Sequence, residues 1–336
     1  MRAKPLLLWS LLITLGALAG AAPALASPIY NNNGPVMSGP NSVYFIWYGN
    51  WGTNTNPNTA TTLLPQFISN LGGSTYMNIL SSYNQPSLYP DFSTQVNFGG
   101  SYFVNSSSSL YQGASLDGTP GSASAASITG IVNAVLTAGG FSGYNPATSV
   151  FDVLTATDTT VSGFQTTFCG WHYSTSFGQL TTGTQYGFIG DPTSAACEFQ
   201  SVGPNNNAGA DAMASVIAHE FFETVTDPTG MSWFDSISLT GGGNTGGYEN
   251  GDMCNFNFGN NLTLNANGSY SNVTLNNTNY LLQQQWQNQG GGPNYSGGAC
   301  VTSLAFATPT PEPPALSLLA TGIAALGLIR RRRAPA

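Results

Sequence analysis

The stretch Ala208 to Asp227, AGADAMASVIAHEFFETVTD, carries the densest chemistry in the chain. At about 100° per residue, Met213, Ile217, Phe221 and Val225 fall on one stripe of a helix, and Asp211, Ser215, His219 and Glu223 fall on another roughly opposite. The spacing predicts a helix over 209–226 that packs one face and presents His219 and Glu223 together on the other. Upstream, Ser42 to Trp51 (SVYFIWYGNW), Val96 to Val104, Val150 to Thr155, Thr167 to Tyr173 and Tyr186 to Ile189 read as strands from their β-branched and aromatic content. Thr61 to Leu71, Tyr76 to Tyr83 and Ser122 to Ala138 read as helices, with Pro65 suited only to a first turn. After Asp227 the chain turns Gly- and Asn-rich, and Thr274 to Trp286 is the last patterned segment. The order predicts an α/β protein: a layered mixed sheet up to the 209–226 helix, then a loop-rich region held by disulfides.

Charge sets the limits on function. The 336 residues contain only 6 Lys and Arg, and Arg2, Lys4 and Arg330 to Arg333 account for all of them. No permanent positive charge lies between Pro5 and Ile329. Nucleic acids and anionic membranes are both bound through Lys and Arg, so neither is a partner of the central region. Yet 41% of the chain is hydrophobic and 12% aromatic, enough to build a core.

His219-Glu220-x-x-Glu223 has the geometry of the zincin motif H-E-x-x-H, with two ligands one helical turn apart and the intervening glutamate placed to polarise a metal-bound water. Glu223 stands where the second histidine would be, which admits calcium or manganese beside zinc. Of the 14 acidic residues only Glu312 lies outside 27–310, and Glu220, Glu223, Asp227, Asp235, Glu249 and Asp252 crowd into 220–252. Neighbouring carboxylates resist ionising together, and here no lysine or arginine can compensate them. The expectation is a divalent-metal site, zinc first and calcium next, with His219, Glu223, Glu249 and Asp252 as ligands and Glu220 as catalytic base. His172, in Cys169-Gly170-Trp171-His172, could reach the same place, although a structural role is the simpler reading for it. Read blandly, Asp227 caps a turn and Glu220 and Glu223 lie on a solvated face.

Both ends read as addresses. Met1 to Ala26 has a basic start, an apolar run from Leu6 to Leu18 and the small-residue site Ala24-Leu25-Ala26, the pattern of a secretory signal peptide. Pro311-Glu312-Pro313, the apolar stretch Ala315 to Ile329 and four arginines resemble a PEP-CTERM sorting tail. That resemblance implies export in a Gram-negative bacterium, transient inner-membrane anchoring by a short transmembrane segment, and processing by an exosortase after signal peptidase. The body between, 27–310, is expected to form one α/β domain. Its four cysteines allow three disulfide pairings, of which Cys169 with Cys197 and Cys254 with Cys300 close the most local loops.

Several segments in order also carry a family resemblance: Asn33-Gly34-Pro35 through Ile46-Trp47-Tyr48-Gly49, Val153 to Asp158, Cys169 to His172, Asn207 through Asp211-Ala212-Met213, His219-Glu220, Asp227-Pro228, Gly251 to Cys254, and Leu281 to Trp286 with Cys300. Together they resemble the exordium, or phosphate-induced, family. The resemblance implies an extracellular, wall-associated protein and supports the pairing of Cys254 with Cys300. Gly241 to Gly247 departs from the family's usual loop. Two functions follow as expectations: a cell-surface-sorted, zincin-like metal-dependent peptide hydrolase, or a non-catalytic matrix protein whose exposed aromatic and amide groups touch extracellular polysaccharide.

Overall fold

The computed structural model describes residues 29–52, 59–84, 92–176, 180, 182–235, 248–288 and 297–306. The expected signal peptide, the apolar C-terminal tail and Gly241 to Gly247 lie outside the described residues. Among the described residues no helix is long and apolar enough to cross a membrane.

A five-stranded sheet is the scaffold. Its strands stand in the order Val96–Val104, Asn41–Tyr48, Ser149–Thr155, Gln185–Gly190 and Gly170–Ser174. The first four run parallel and the last antiparallel, so the sheet is mixed, as expected. Parallel neighbours need crossovers, and helices supply them on both faces. Helices α1 (Ala60–Leu71) and α3 (Ala208–Thr226) share one core with Val43, Phe45, Trp47, Val150 and Leu154. Helix α2 (Ile128–Thr137) covers the alternate residues Ile46, Tyr48, Phe151, Val153 and Phe188. Because both faces are covered, all of Ser149–Thr155 (SVFDVLT) is buried.

The expected strands all form, with ends shifted by a few residues. Three helical readings need correction. Met77–Tyr83 is a 3-10 helix, and α2 begins only at Ile128, where Ser127 accepts the Gly130 N–H as N-cap. Pro65 sits inside α1 rather than in its first turn. The cost of its missing N–H is offset because Leu63, Leu64, Phe67, Ile68 and Leu71 all reach the core.

Helix α3 departs most from expectation. Its periodicity predicts one packed face, but every residue except Ala208 and His219 is buried. The polar stripe is covered by the region after Asp227, whose hairpins include Val273–Leu275 with Thr278–Tyr280 and Gln285–Asn288 with Gly298–Val301. Polar bonds clamp this cover down. Ser215 Oγ accepts the Gln283 N–H at 2.9 Å, the Tyr76 hydroxyl donates to Gln283 O at 2.7 Å, and the Tyr83 hydroxyl donates to Trp286 O at 2.6 Å. The disulfides are Cys169–Cys197 and Cys254–Cys300, the pairing favoured from the sequence. The second ties the segment carrying Asp252 to the last described strand.

Candidate functional site

Two structures of different kinds meet here. The middle of α3 supplies His219, Glu220 and Glu223. The edge strand Gly170–Ser174 supplies His172, whose register partner Gly187 is itself paired with Asp152. His172, Gly187 and Asp152 therefore form one row across the sheet on the α3 side, since alternate strand residues share a face. Gly187 has to be glycine: a Cβ there would stand 2.7 Å from Asp152 Oδ1. The segment 248–254 closes the site, and at Gly251 a Cβ would lie 2.8 Å from Glu223 Oε1 and 2.9 Å from the His219 ring.

The side chains converge. His219 Nε2 is 3.0 Å from Glu223 Oε1 and 3.6 Å from Asp252 Oδ1. His172 Nδ1 is 3.4 Å from Glu220 Oε2 and 3.5 Å from Glu223 Oε2, and its Nε2 is 3.6 Å from Glu249 Oε1. Two groups of three thus have ligand atoms close enough to hold an ion: His219, Glu223 and Asp252, and His172, Glu220 and Glu223. Every residue named from the sequence for this site is present in the cluster. Glu249, however, lies against His172 and is in neither group of three. Asp235 stands apart, its carboxylate accepting the Tyr248 N–H at 2.9 Å.

The solvated-face reading of Glu220 and Glu223 fails, because they are only 7% and 3% exposed. Asp227 does cap a turn: its Oδ1 accepts the N–H groups of Met231 and Ser232 at 2.6 and 2.7 Å. It is also wholly buried, and its Oδ2 accepts no hydrogen bond among the described residues.

Burial and the neighbouring charges pull these groups in opposite directions. Burial works against charge on His172 and His219, but the surrounding carboxylates outweigh it and raise both imidazoles well above the usual range. Burial also opposes charge on Glu223, yet the two histidines hold it down at about 2. Burial lifts Glu220 and Glu249 above the ordinary carboxylate range and pushes Asp152 up to about 8. The two imidazoles thus favour the ionised form of Glu223, while burial works against ionising the acids around it.

Gln283 sets the tautomer of His219. Its Oε1 accepts the Phe256 N–H at 3.0 Å and its Nε2 donates to Gly251 O at 2.9 Å, so the carboxamide orientation is fixed. The same Nε2 lies 2.8 Å from His219 Nδ1, which accepts when the ring is neutral. The proton on a neutral ring is then at Nε2, facing Glu223. A cation on Nε2 would require that proton at Nδ1, and the carboxamide would have to turn over. His172 meets no such conflict, because Glu249 is a ready acceptor behind its second nitrogen.

A groove of about 390 Å³ opens onto His219, Glu220 and Asp252, with Phe168, Phe199 and Phe256 among its walls. His172, Glu223 and Glu249 lie behind it. Sequence reasoning had no signal for Asp152 or Gln283, and the nearness of His172 depends on strand pairing.

Residues 29–291, which include every residue of this cluster, match the family model described as phosphate-induced protein 1 conserved region. The chain belongs to that family. Among curated relatives, this phosphate-induced family protein is 26% identical over 289 residues to Protein EXORDIUM-like 3 of Arabidopsis thaliana, covering 75% of this chain and 78% of that one. It is likewise 26% identical over 246 residues to Protein EXORDIUM-like 5 of the same plant, covering 66% of this chain and 62% of that one. No solved structure matches it. Family membership together with two formed disulfides fits a secreted protein.

Proposed function

We propose that this exported protein holds a divalent cation on His219, Glu223 and Asp252 and uses it to hydrolyse peptide bonds in the groove. The observation that carries this reading is the convergence of two histidines with four carboxylates, at burial that leaves no lysine or arginine to neutralise them. Zinc suits the mixed nitrogen and oxygen donors best, and calcium is the alternative. A cation held there supplies Lewis-acid activation of water and of the scissile carbonyl. Glu220, at the groove wall, accepts the proton from the attacking water and passes it to the amide nitrogen as the carbon–nitrogen bond breaks. His172 and Glu249 steady Glu220 and Glu223 from behind. The aromatic wall receives an apolar side chain of the substrate.

The ends of the chain supply the address in this proposal: a cleaved signal peptide, and a PEP-CTERM-like tail that anchors the protein in the inner membrane until an exosortase releases it to the cell surface or matrix. The exporting cell is a Gram-negative bacterium.

The test is the metal content of the exported protein and of its His219→Ala variant, followed by a peptide-library cleavage screen with Glu220→Gln as control. Bound metal lost with His219, and cleavage that falls by about a hundredfold or more with Glu220→Gln, is the expected result. Equal metal in both proteins overturns the site. Metal without Glu220-dependent cleavage overturns the hydrolase and leaves a non-catalytic matrix protein with a structural ion.

A further inference from the structure

The geometry points to a two-ion centre, in which Glu223 bridges one cation on His172 and Glu220 and a second on His219 and Asp252. This rests on the cation-binding reading above, and it reassigns Glu220 from base to ligand. Glu223 turns a different oxygen to each histidine: Oε1 lies 3.0 Å from His219 Nε2, and Oε2 lies 3.5 Å from His172 Nδ1. A carboxylate used through both oxygens in this way holds two divalent ions about 3.5–4 Å apart, the spacing of two-metal hydrolytic sites.

Distances on the His172 side suit an ion better than hydrogen bonds. Charge-assisted N–H···O bonds close to about 2.7–2.9 Å. Four ligands about 2.1 Å from one ion stand about 3.4 Å from each other. His172 Nδ1 is 3.4 Å from Glu220 Oε2 and 3.5 Å from Glu223 Oε2, which are the edges of such a polyhedron. The other ring nitrogen faces Glu249 Oε1, a buried oxygen that accepts no hydrogen bond. A carboxylate behind the far nitrogen is what orients and strengthens a histidine ligand.

A second observation comes from behind the cluster. Asp227 is 0% exposed, and its carboxyl interacts with His172 and Glu249. Carboxyl groups are thus layered two deep behind His172, with no lysine or arginine to meet them.

The test counts ions. The full exported chain, stripped with chelator, is titrated with Zn²⁺ alone and analysed for metal, then reloaded with Mn²⁺ for electron paramagnetic resonance. Two Zn²⁺ per chain and a spin-coupled Mn²⁺ pair are expected, with His172→Ala and Glu220→Gln each reducing two ions to one. One ion in the parent protein, unchanged by Glu220→Gln, overturns the two-ion centre while the single-ion hydrolase stands. No ion at all overturns both. Two ions without spin coupling place the second elsewhere and overturn the bridge. The parent stoichiometry decides the question even if a variant fails to fold.

Discussion

Phe151 and Asp152 are chain neighbours on one buried strand, and they face opposite sides of the same sheet. On the α2 side, Phe151 packs its ring against Tyr44, Phe141 and Tyr144, with centroids 5.0–5.6 Å apart. A polar group on that side is paired as well, the Tyr186 hydroxyl meeting Thr129 Oγ1 at 2.6 Å. On the α3 side the strand buries Asp152 toward His172 and Glu220, in a cluster of acids that only protons or cations can neutralise. The first face is built for stability alone. The second accepts the desolvation of several ionisable groups, which a fold tolerates where those groups have work to do.

That contrast can be broken or sharpened by experiment. Phe151→Ala should cost about 3–5 kcal/mol in chemical denaturation, because a wholly buried ring leaves a cavity, while metal content per folded chain stays as in the parent. A loss of metal would mean that the two faces are not independent. Removing the Cys254–Cys300 bridge by paired alanine substitutions should cost about 4 kcal/mol on the chain-entropy view, given the sequence separation of 46. Metal affinity should fall with it, since the bridge anchors the segment bearing Asp252; unchanged affinity would show that the cover holds without it.

A smaller effect is expected from Asp152→Asn. Folding lifts this carboxyl to about 8, whereas an unfolded chain releases the proton at about 4. Between these values the unfolded chain binds fewer protons, so the stability of the metal-free protein should decline as pH rises from about 4 to about 8. The Asn variant should flatten that decline, matching the parent near pH 4 and exceeding it by at least about 1 kcal/mol at pH 8 in thermal melts with chelator. Parallel curves would mean that Asp152 is ionised in the fold.

The smallest change belongs to Gln283→Glu. A carboxylate there accepts a proton from His219 Nδ1 and leaves Nε2 free for a cation, so Zn²⁺ affinity measured by calorimetry should rise about tenfold. Unchanged affinity would show that the carboxamide already turns over without cost.

Helix α3 was legible because its period is local: the four-residue spacing alone brings His219 and Glu223 onto one stripe and leaves Glu220 beside them. The strands, the disulfide pairing and the want of internal counter-ions were legible for the same reason, being properties of short segments or of composition. What hid the burial of α3's polar stripe was the Gly- and Asn-rich cover, whose pairing leaves little periodicity to read. His172 joins the cluster because strand Gly170–Ser174 runs antiparallel to Gln185–Gly190 in a register that sets His172 opposite Gly187 and Gly187 opposite Asp152. A one-residue slip would turn His172 to the other face. By itself the sequence determined that the acids crowded into 220–252 have no lysine or arginine to neutralise them. Tertiary structure decided that two histidines share one glutamate, because strand register joins segments that no local spacing relates.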